Sequence, residues 1–418
     1  MLTASLVLMA SGSLRDLITP MGYWAAWGGW AVVTLIAARP VGREPRVPGL
    51  PVWVMGSYAV LWLGMIVAAA ANQHWTSAYQ AMKIAVIAGM FVTMWRLVAQ
   101  LSWRQLVMAM SWAVGVVLIS LAVSKVWNPT GQMLVDGPRE GSFLAVYGVL
   151  WKAGALFLPV FLADAVETPR AWARNGLMIA TCVFLVLIDG SRTGLLLLGA
   201  TALGFVAFLT WRGDLGLARR QFRPFWVAAV LLLLLQLFNT GANLEAVKSW
   251  AGGSVSEGSP GGAAAAEVEP ARVLEGALSR TFETRIGEGD PARIKLLRAS
   301  LGQVVVCLPL GCGFGTTGTD VGTGTLMPVH NAYLAALGDF GVLGLLGMLG
   351  FLVAAWLPIR GVLRRGGGAG HGCFVVATAG SALAYGMALM LNTFTTEMSE
   401  WGYLILMLAF AWMPAENA

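Results

Sequence analysis

Apolar residues fill long blocks of the chain, and short polar stretches rich in arginine and proline separate these blocks. A helix needs about 20 apolar residues to cross the hydrocarbon core of a bilayer. By that criterion the pattern predicts twelve transmembrane helices, and therefore an all-α polytopic membrane protein. The predicted spans are 2–19, 22–38, 51–72, 78–95, 105–126, 142–163, 175–189, 193–211, 224–240, 330–357, 373–391 and 401–414.

One long polar interval, residues 241–329, interrupts this pattern after the ninth predicted span. Its low-complexity part, 251–269, does not predict regular structure. Residues 271–286 and 292–306 have helical spacing of apolar positions, and we expect two amphipathic helices there, forming a cap on the membrane body. The predicted organisation is spans one to nine in 1–240, the large loop in 241–329, and spans ten to twelve in 330–418.

Composition supports the same class of protein. Of 418 residues, 57% are hydrophobic and only 11% are charged, whereas soluble domains carry about 25% charged residues. An ordinary soluble enzyme is therefore excluded. Membrane lipid is an expected partner, and nucleic acid is not.

The orientation prediction depends on the arginines. One set of alternate loops holds fourteen arginines, whereas the short loops on the other side hold only Arg139 and Arg192. Because positive residues concentrate in cytoplasmic loops, both termini are predicted to be cytoplasmic. The predicted outward segments are 71–77, 127–141, 189–193, 241–329 and 392–400.

Ionisable residues inside predicted spans are candidates for function, because a membrane interior disfavours charge. Lys83 lies near the outward end of the fourth span and Lys152 near the middle of the sixth, with snorkelling to the interface as the alternative. Arg192 occupies a tight outward turn, where its guanidinium suits phosphate. Arg285 and Arg293 flank an acidic turn of the outer loop. These cations predict an anionic ligand at the outward face, most simply a lipid-linked phosphate or pyrophosphate.

His330 is the candidate base. It follows Pro328 and is predicted to open the tenth span, where an imidazole can take a proton from an attacking hydroxyl. The alternative is a capping or interfacial histidine. His74 and His371 are expected to be solvated.

Further along the same predicted helix, Asp339 lies about 13 Å beyond His330 and is expected to pair with a membrane lysine. Glycines recur at positions 338, 341, 344, 347 and 350, which predicts close helix packing.

The four cysteines show no metal-ligand spacing. Cys307 and Cys312 can pair in the outer region, but buried free thiols are the favoured interpretation. The predicted outward side also lacks clustered histidines and an Asp-x-Asp pair. We therefore expect chemistry without a metal or other cofactor, with arginines stabilising the leaving group.

Three segments together resemble the O-antigen ligases and the wider O-antigen ligase/polymerase superfamily. They are GSRTGLLLL (Gly190–Leu198), the LPLGCGFG turn after a basic segment (Leu308–Gly315), and HNAYLAALGDFGVLGLLG (His330–Gly347). The resemblance implies a GT-C-like glycosyltransferase in the bacterial inner membrane with its active site facing the periplasm. It implies transfer of polysaccharide from undecaprenyl pyrophosphate to lipid A–core, inverting and independent of metal.

Carried onto this chain, the resemblance implies roles for individual residues. His330 matches the family's essential histidine, and Arg192 and Arg293 match its arginines. The residues expected to bind substrate are Arg285, Lys83, Asn331 and Lys152. Two alternatives stay open: an O-antigen polymerase that uses a lipid-linked glycan as acceptor, and a flippase for lipid-linked oligosaccharides. A flippase predicts internal repeats and cations through the full depth of a cavity.

Overall fold

A computed structural model describes residues 2, 4–5, 19–37, 51–124, 126–127, 135–136, 139–144, 148–213, 216, 291–320, 326–365 and 371–413. The α-helices of this part are α1 (Pro20–Ala37), α2 (Val52–Asn72), α3 (Trp75–Val98), α4 (Trp103–Ser124), α5 (Leu150–Glu167), α6 (Trp172–Asp189), α7 (Arg192–Trp211), α8 (Pro291–Cys307), α9 (Ala332–Arg364), α10 (His371–Ala388) and α11 (Met398–Ala411). Short 3-10 helices cover Pro169–Ala171 and Leu389–Leu391.

Strand structure in the described residues is confined to two small antiparallel hairpins. Strand β1 (Val135–Asp136) pairs with β2 (Arg139–Glu140), and β3 (Thr319–Asp320) pairs with β4 (Leu326–Met327). The described architecture is therefore helical, as the apolar pattern predicts.

Seven helices of the described part are long and apolar enough to cross a membrane. They cover Val52–Asn72, Trp75–Val98, Trp103–Ser124, Pro169–Asp189, Thr193–Trp211, Ala332–Arg364 and Gly372–Leu391. Ten of the twelve predicted spans overlap a described helix, and the predicted spans 2–19 and 224–240 fall largely or wholly outside the described residues. A count of twelve spans stays a prediction.

The sixth predicted span begins eight residues later than expected, at Leu150 rather than residue 142. Gly148 has a left-handed backbone, with φ of 87°, which a continuing helix does not allow. The buried carboxylate of Asp189 then accepts hydrogen bonds from the N–H groups of Gly148 and Trp151, at 2.9 and 3.2 Å. The start of α5 is fixed by this long-range cap, which local apolarity does not reveal.

Helices α5 and α11 form the centre of the helical body. Almost every residue of α11 is buried, and α5 is buried on all sides from Leu150 to Asp164. A helix that is apolar all round is one that other helices surround.

Of the five glycines for which close helix packing was predicted, those at positions 344, 347 and 350 pack against α2, whereas those at 338 and 341 lie against the segment before α9. A Cβ added to Gly347 would lie 2.6 Å from Leu61, and one added to Gly64 would lie 2.8 Å from the backbone nitrogen of Gly344. Real Cβ atoms do not approach so closely, so these glycines set the distance between the two helices.

A polar cluster joins α4, α5 and α6 at one end of the body. The buried carboxylate of Asp164 accepts hydrogen bonds from Trp103 Nε1 and Asn175 Nδ2, both at 2.7 Å, and pairs with Arg174. The opposite end carries His330, and we refer to it as the His330 end.

Candidate functional site

His330 lies outside helix α9 rather than at its first turn. The helix begins at Ala332, and Asn331 is its N-cap, with Oδ1 accepting from the backbone N–H groups of Tyr333 and Leu334 at 3.1 and 3.0 Å. The prediction that His330 opens the helix is therefore wrong by two residues, because the asparagine takes the capping position. His330 is exposed at this end, between the buried Val329 and the cap.

Asn331 was predicted to bind substrate, and the structure gives its side-chain oxygen a structural function. A capping asparagine satisfies backbone N–H groups that have no partner within the helix. It also fixes the direction in which the chain enters α9, and hence the position of the neighbouring His330.

Helix α9 is broken at Gly341, whose φ of 70° and ψ of −161° are not helical. The N–H of Val342, which would otherwise donate to Gly338 in an α-helix, donates instead to the carbonyl of Pro309 at 3.0 Å. A Cβ at Gly341 would overlap that carbonyl, so only glycine fits here. The break divides α9 into a first segment, 332–340, and a long second segment.

Backbone of residues 308–317, which we call the docking loop, fills this break. The carbonyls of Gly338 and Asp339 accept hydrogen bonds from the N–H groups of Cys312 and Gly313, each at 2.9 Å. Non-helical backbone is tolerated at membrane depth only where protein satisfies its polar groups. The docking loop supplies the partners that the broken helix has lost.

The carboxylate of Asp339 binds the second half of the docking loop. It is buried and accepts hydrogen bonds from the N–H groups of Gly315 at 2.8 Å and Thr317 at 2.9 Å, and from the hydroxyls of Thr316 and Thr317. The predicted salt bridge with a membrane lysine is wrong. The reason is that the docking loop provides enough donors to satisfy the buried charge.

Cys307 and Cys312 form a disulfide, with their Cα atoms 5.1 Å apart. The expectation of free thiols at these two positions is therefore wrong, whereas Cys182 and Cys373 are buried and are not part of a disulfide. The turn brings the pair together because Gly311, with φ of 83°, lets the chain reverse directly after α8. The disulfide links the end of α8 covalently to the docking loop.

The end of α2 and the start of α3 also form hydrogen bonds with the docking loop. Asn72 Nδ2 donates to the carbonyl of Gly311 at 2.9 Å, and Ser77 Oγ accepts from the N–H of Phe314 at 2.7 Å. His74 Nδ1 lies 2.9 Å from the same Ser77 hydroxyl. His74 is thus half-buried against the docking loop and not solvated as predicted, because Gly313 leaves room for its ring.

Lys83 is a partnered lysine. Its Nζ lies 3.0 Å from Glu397 Oε1, and the aromatic rings of Trp24 and Tyr79 lie 5.3 and 5.0 Å away. The lysine side chain is 8% exposed, against 26% for Glu397. The carboxylate is therefore the more accessible partner of this pair.

Lys152, on α5, is paired with a glutamate in the same way. It pairs with Glu400, and Tyr385 donates its hydroxyl to Glu400 Oε2 at 2.8 Å. Lys152 is 2% exposed and Glu400 27%. Lys83 and Lys152 were expected to present cations to an anionic ligand. In the structure each ammonium group is instead paired with a carboxylate at the start of α11.

A small cleft at the start of α11 adjoins Glu400. Its volume is about 20 Å³, room for one water molecule. Ala332, only two residues after His330, forms part of its wall. Tyr385, Thr393, Thr395, Glu400 and Trp401 are also among its lining residues. The cleft therefore joins the His330 end of α9 to the carboxylate of Glu400.

Glu397 and Glu400 belong to the candidate site, and the sequence-based prediction gave them no function there. The signal was present in TFTTEMSEWG, where two acids three residues apart lie between apolar spans. The residues that pair with them are more than 240 positions away in the chain. Their pairing with two buried lysines is therefore a tertiary feature.

The predicted arginines are described only in part. Arg192 is the first residue of α7, directly after the N-cap Ser191, and Arg293 lies in the first turn of α8. The positions of their side chains lie outside the described part, and Arg285 lies outside the described residues altogether. The catalytic function expected of these arginines stays a prediction.

In comparisons with known proteins, no protein-family model matches the chain and no curated protein is significantly similar to it.

Proposed function

We propose that this protein is a membrane glycosyltransferase of the O-antigen ligase type, transferring polysaccharide from undecaprenyl pyrophosphate to lipid A–core. One observation carries the proposal. Three segments resemble the superfamily, and two of them are in contact in the structure. Leu308–Gly315 is hydrogen-bonded through its backbone to His330–Gly347 at the break in α9. Segments that carry a family's motifs and are hydrogen-bonded to each other in this way are typical of a functional site.

The exposure of His330 fits a base that must reach a substrate. In the proposed step, an acceptor hydroxyl oxygen forms a bond to the anomeric carbon of the donor while His330 takes the hydroxyl proton. The bond from that carbon to the pyrophosphate oxygen breaks, and undecaprenyl pyrophosphate leaves with the bonding electrons. Attack opposite the leaving group inverts the anomeric centre.

Arginines stabilise the departing pyrophosphate in this proposal. Arg192 and Arg293, with Arg285, present planar guanidinium groups that bind phosphate oxygens in pairs. Lys83 and Lys152 are given no direct function toward the pyrophosphate, because each is paired with a glutamate. Their function is to hold the carboxylates of α11 at the site.

The disulfide supports an outward-facing site. Disulfides persist in oxidising compartments such as the bacterial periplasm and are rare in the cytosol. Cys307–Cys312 joins the end of α8 to the docking loop, at the same end of the body as His330. This agrees with the orientation that the arginine distribution predicts.

The test is reconstitution of the purified protein with undecaprenyl-pyrophosphate-linked polysaccharide and lipid A–core. We expect polysaccharide covalently attached to lipid A–core. Longer lipid-linked chains with no attachment would identify a polymerase. Movement of the intact donor across a vesicle bilayer without any covalent product would identify a flippase, and either outcome would overturn the proposal.

A further inference from the structure

The carboxylate of Glu400 is held rigidly on one side and open on the other. Its Oε1 pairs with Lys152 Nζ, and its Oε2 accepts from Tyr385 Oη at 2.8 Å. Tyr385 also donates to the backbone carbonyl of Glu400, at 3.0 Å. Both holding residues are buried, at 2% and 1% exposure, whereas the side chain of Glu400 is 27% exposed. The carboxylate is thus anchored from within the protein and faces the cleft.

A carboxylate in this setting has acceptor sites to spare. Two carboxylate oxygens offer about four lone-pair positions, and an ionised carboxylate donates nothing. The two described side-chain partners occupy one position on each oxygen. What the exposed positions can bind is therefore a hydrogen-bond donor.

This chemistry separates the two substrates of a glycosyl transfer. The pyrophosphate of the donor is an anion, and a carboxylate repels it. Sugar hydroxyls are neutral donors, and the other polar groups at the cleft, the hydroxyls of Thr393 and Thr395, can both give and accept hydrogen bonds. Trp401 and Tyr385 add aromatic surface to the wall. The lining suits a hydroxyl-bearing ligand.

We propose that Glu400, positioned by Lys152 and Tyr385, binds a hydroxyl group of the acceptor sugar beside His330, in a cleft with room for one such group. This inference rests on the proposed function for the identity of the acceptor, and it deepens that function by assigning an acceptor subsite to α11. Ala332 shares the cleft with Glu400 and follows His330 by two residues. A sugar on Glu400 therefore lies next to the residue proposed to take its proton.

The experiment measures binding of lipid A–core to the purified full-length protein in lipid nanodiscs, without donor. Lipid A lacking its core sugars is the second probe, because it keeps the phosphates and acyl chains. For Glu400→Gln we expect the Kd for lipid A–core to rise about tenfold or more, since a hydrogen bond to a charged group is lost. Binding of lipid A and of the undecaprenyl pyrophosphate donor should not change.

A double variant separates binding from a purely structural effect. Lys152→Met combined with Glu400→Gln leaves no unpaired buried charge, so it removes the main reason for misfolding. We expect this variant to elute as a monodisperse protein and still to bind lipid A–core weakly. Recovery of wild-type affinity in the double variant would show that the pair is only structural and would overturn the inference.

Two further variants complete the set. Tyr385→Phe keeps the ion pair and removes one holding contact, and we expect a smaller rise in Kd. Arg212→Met with Glu167→Gln neutralises another ion pair of α5, whose charged atoms lie 3.7 Å apart at the opposite end of the body. That control should bind lipid A–core as the wild type does.

The outcomes also distinguish the inference from the proposed function. Wild-type protein that binds lipid A–core no more tightly than lipid A would overturn the acceptor subsite. Binding that depends on the core sugars and on Glu400, in a protein that transfers no polysaccharide when donor is added, would support the subsite and overturn the transferase. Transfer at the wild-type rate by Glu400→Gln would leave the transferase standing and contradict the subsite.

Discussion

The carboxylate of Asp339 accepts a hydrogen bond from the backbone N–H of Thr317 at 2.9 Å, across 22 positions of sequence. This contact joins the broken membrane helix α9 to the docking loop that fills its break. The Cys307–Cys312 disulfide extends the connection to α8, the helix that carries Arg293. The first segment of α9, which positions His330, is therefore fixed by contacts at Asp339, about 10 Å along the helix from its first residue, Ala332.

Replacing Asp339 by Asn should destabilise the protein. The carboxylate accepts from two backbone N–H groups and two hydroxyls, whereas an amide has one acceptor oxygen and turns an NH2 group toward the other donors. We expect a loss of about 3 kcal/mol, the scale of one or two hydrogen bonds to a buried charge. Thermal unfolding in detergent measures it. An unchanged Tm would contradict the structural function given to Asp339.

Gly341→Ala should disrupt the break in α9. The positive φ strains any L-residue, and the added methyl group would overlap the carbonyl of Pro309. Gly361→Ala is the matched control, because it lies in the same helix with open space around its Cα. We expect Gly341→Ala to lower the Tm by several degrees and Gly361→Ala to keep it or raise it slightly. Equal Tm values for the two variants would argue against the observed break.

The disulfide should be detectable by counting thiols. In the denatured protein, a maleimide should label two cysteines before reduction and four after it, since Cys182 and Cys373 are not part of the disulfide. The double replacement Cys307→Ser with Cys312→Ser should cost about 2 kcal/mol, as expected for closing a short loop. Four reactive thiols without reductant would show that the bond does not form.

Lys83 and Glu397 should behave as a coupled pair. Lys83→Met leaves the glutamate without its ammonium partner, and we expect a loss of about 2 kcal/mol, less than for a fully buried pair because Glu397 is 26% exposed. Lys83→Met combined with Glu397→Gln should recover most of this loss. Thermal unfolding of the wild type, Lys83→Met, Glu397→Gln and the double variant forms a double-mutant cycle. Additive losses, with no recovery in the double variant, would refute the pairing.

Much of the fold follows from local sequence signals. Apolar runs give the approximate ranges of most described helices, because a helix that packs in a membrane must be apolar over most of its length. Glycines 344 and 347 give the close contact of α9 with α2. The amphipathic segment 292–306 corresponds to α8, Pro291–Cys307.

The errors concern groups whose partners are distant in sequence. Asp339 is paired with loop donors and not with a lysine, and Lys83 and Lys152 are paired with Glu397 and Glu400. Sequence shows that a buried charge needs compensation, but it does not show which donor or acceptor lies nearest. The break at Gly341 was missed for the same reason, since an apolar glycine-rich helix has no local signal for a loop inserted from outside.

The central claim, that His330 is the base of a glycosyl transfer, is tested most directly by the reconstituted transfer assay with His330→Ala. His371→Ala, at the start of α10, serves as the matched histidine control. We predict that His330→Ala keeps the wild-type Tm and donor binding, and loses transfer to lipid A–core by on the order of 100-fold or more, the usual contribution of a general base. Transfer by His330→Ala at the rate of wild type and His371→Ala would contradict the account.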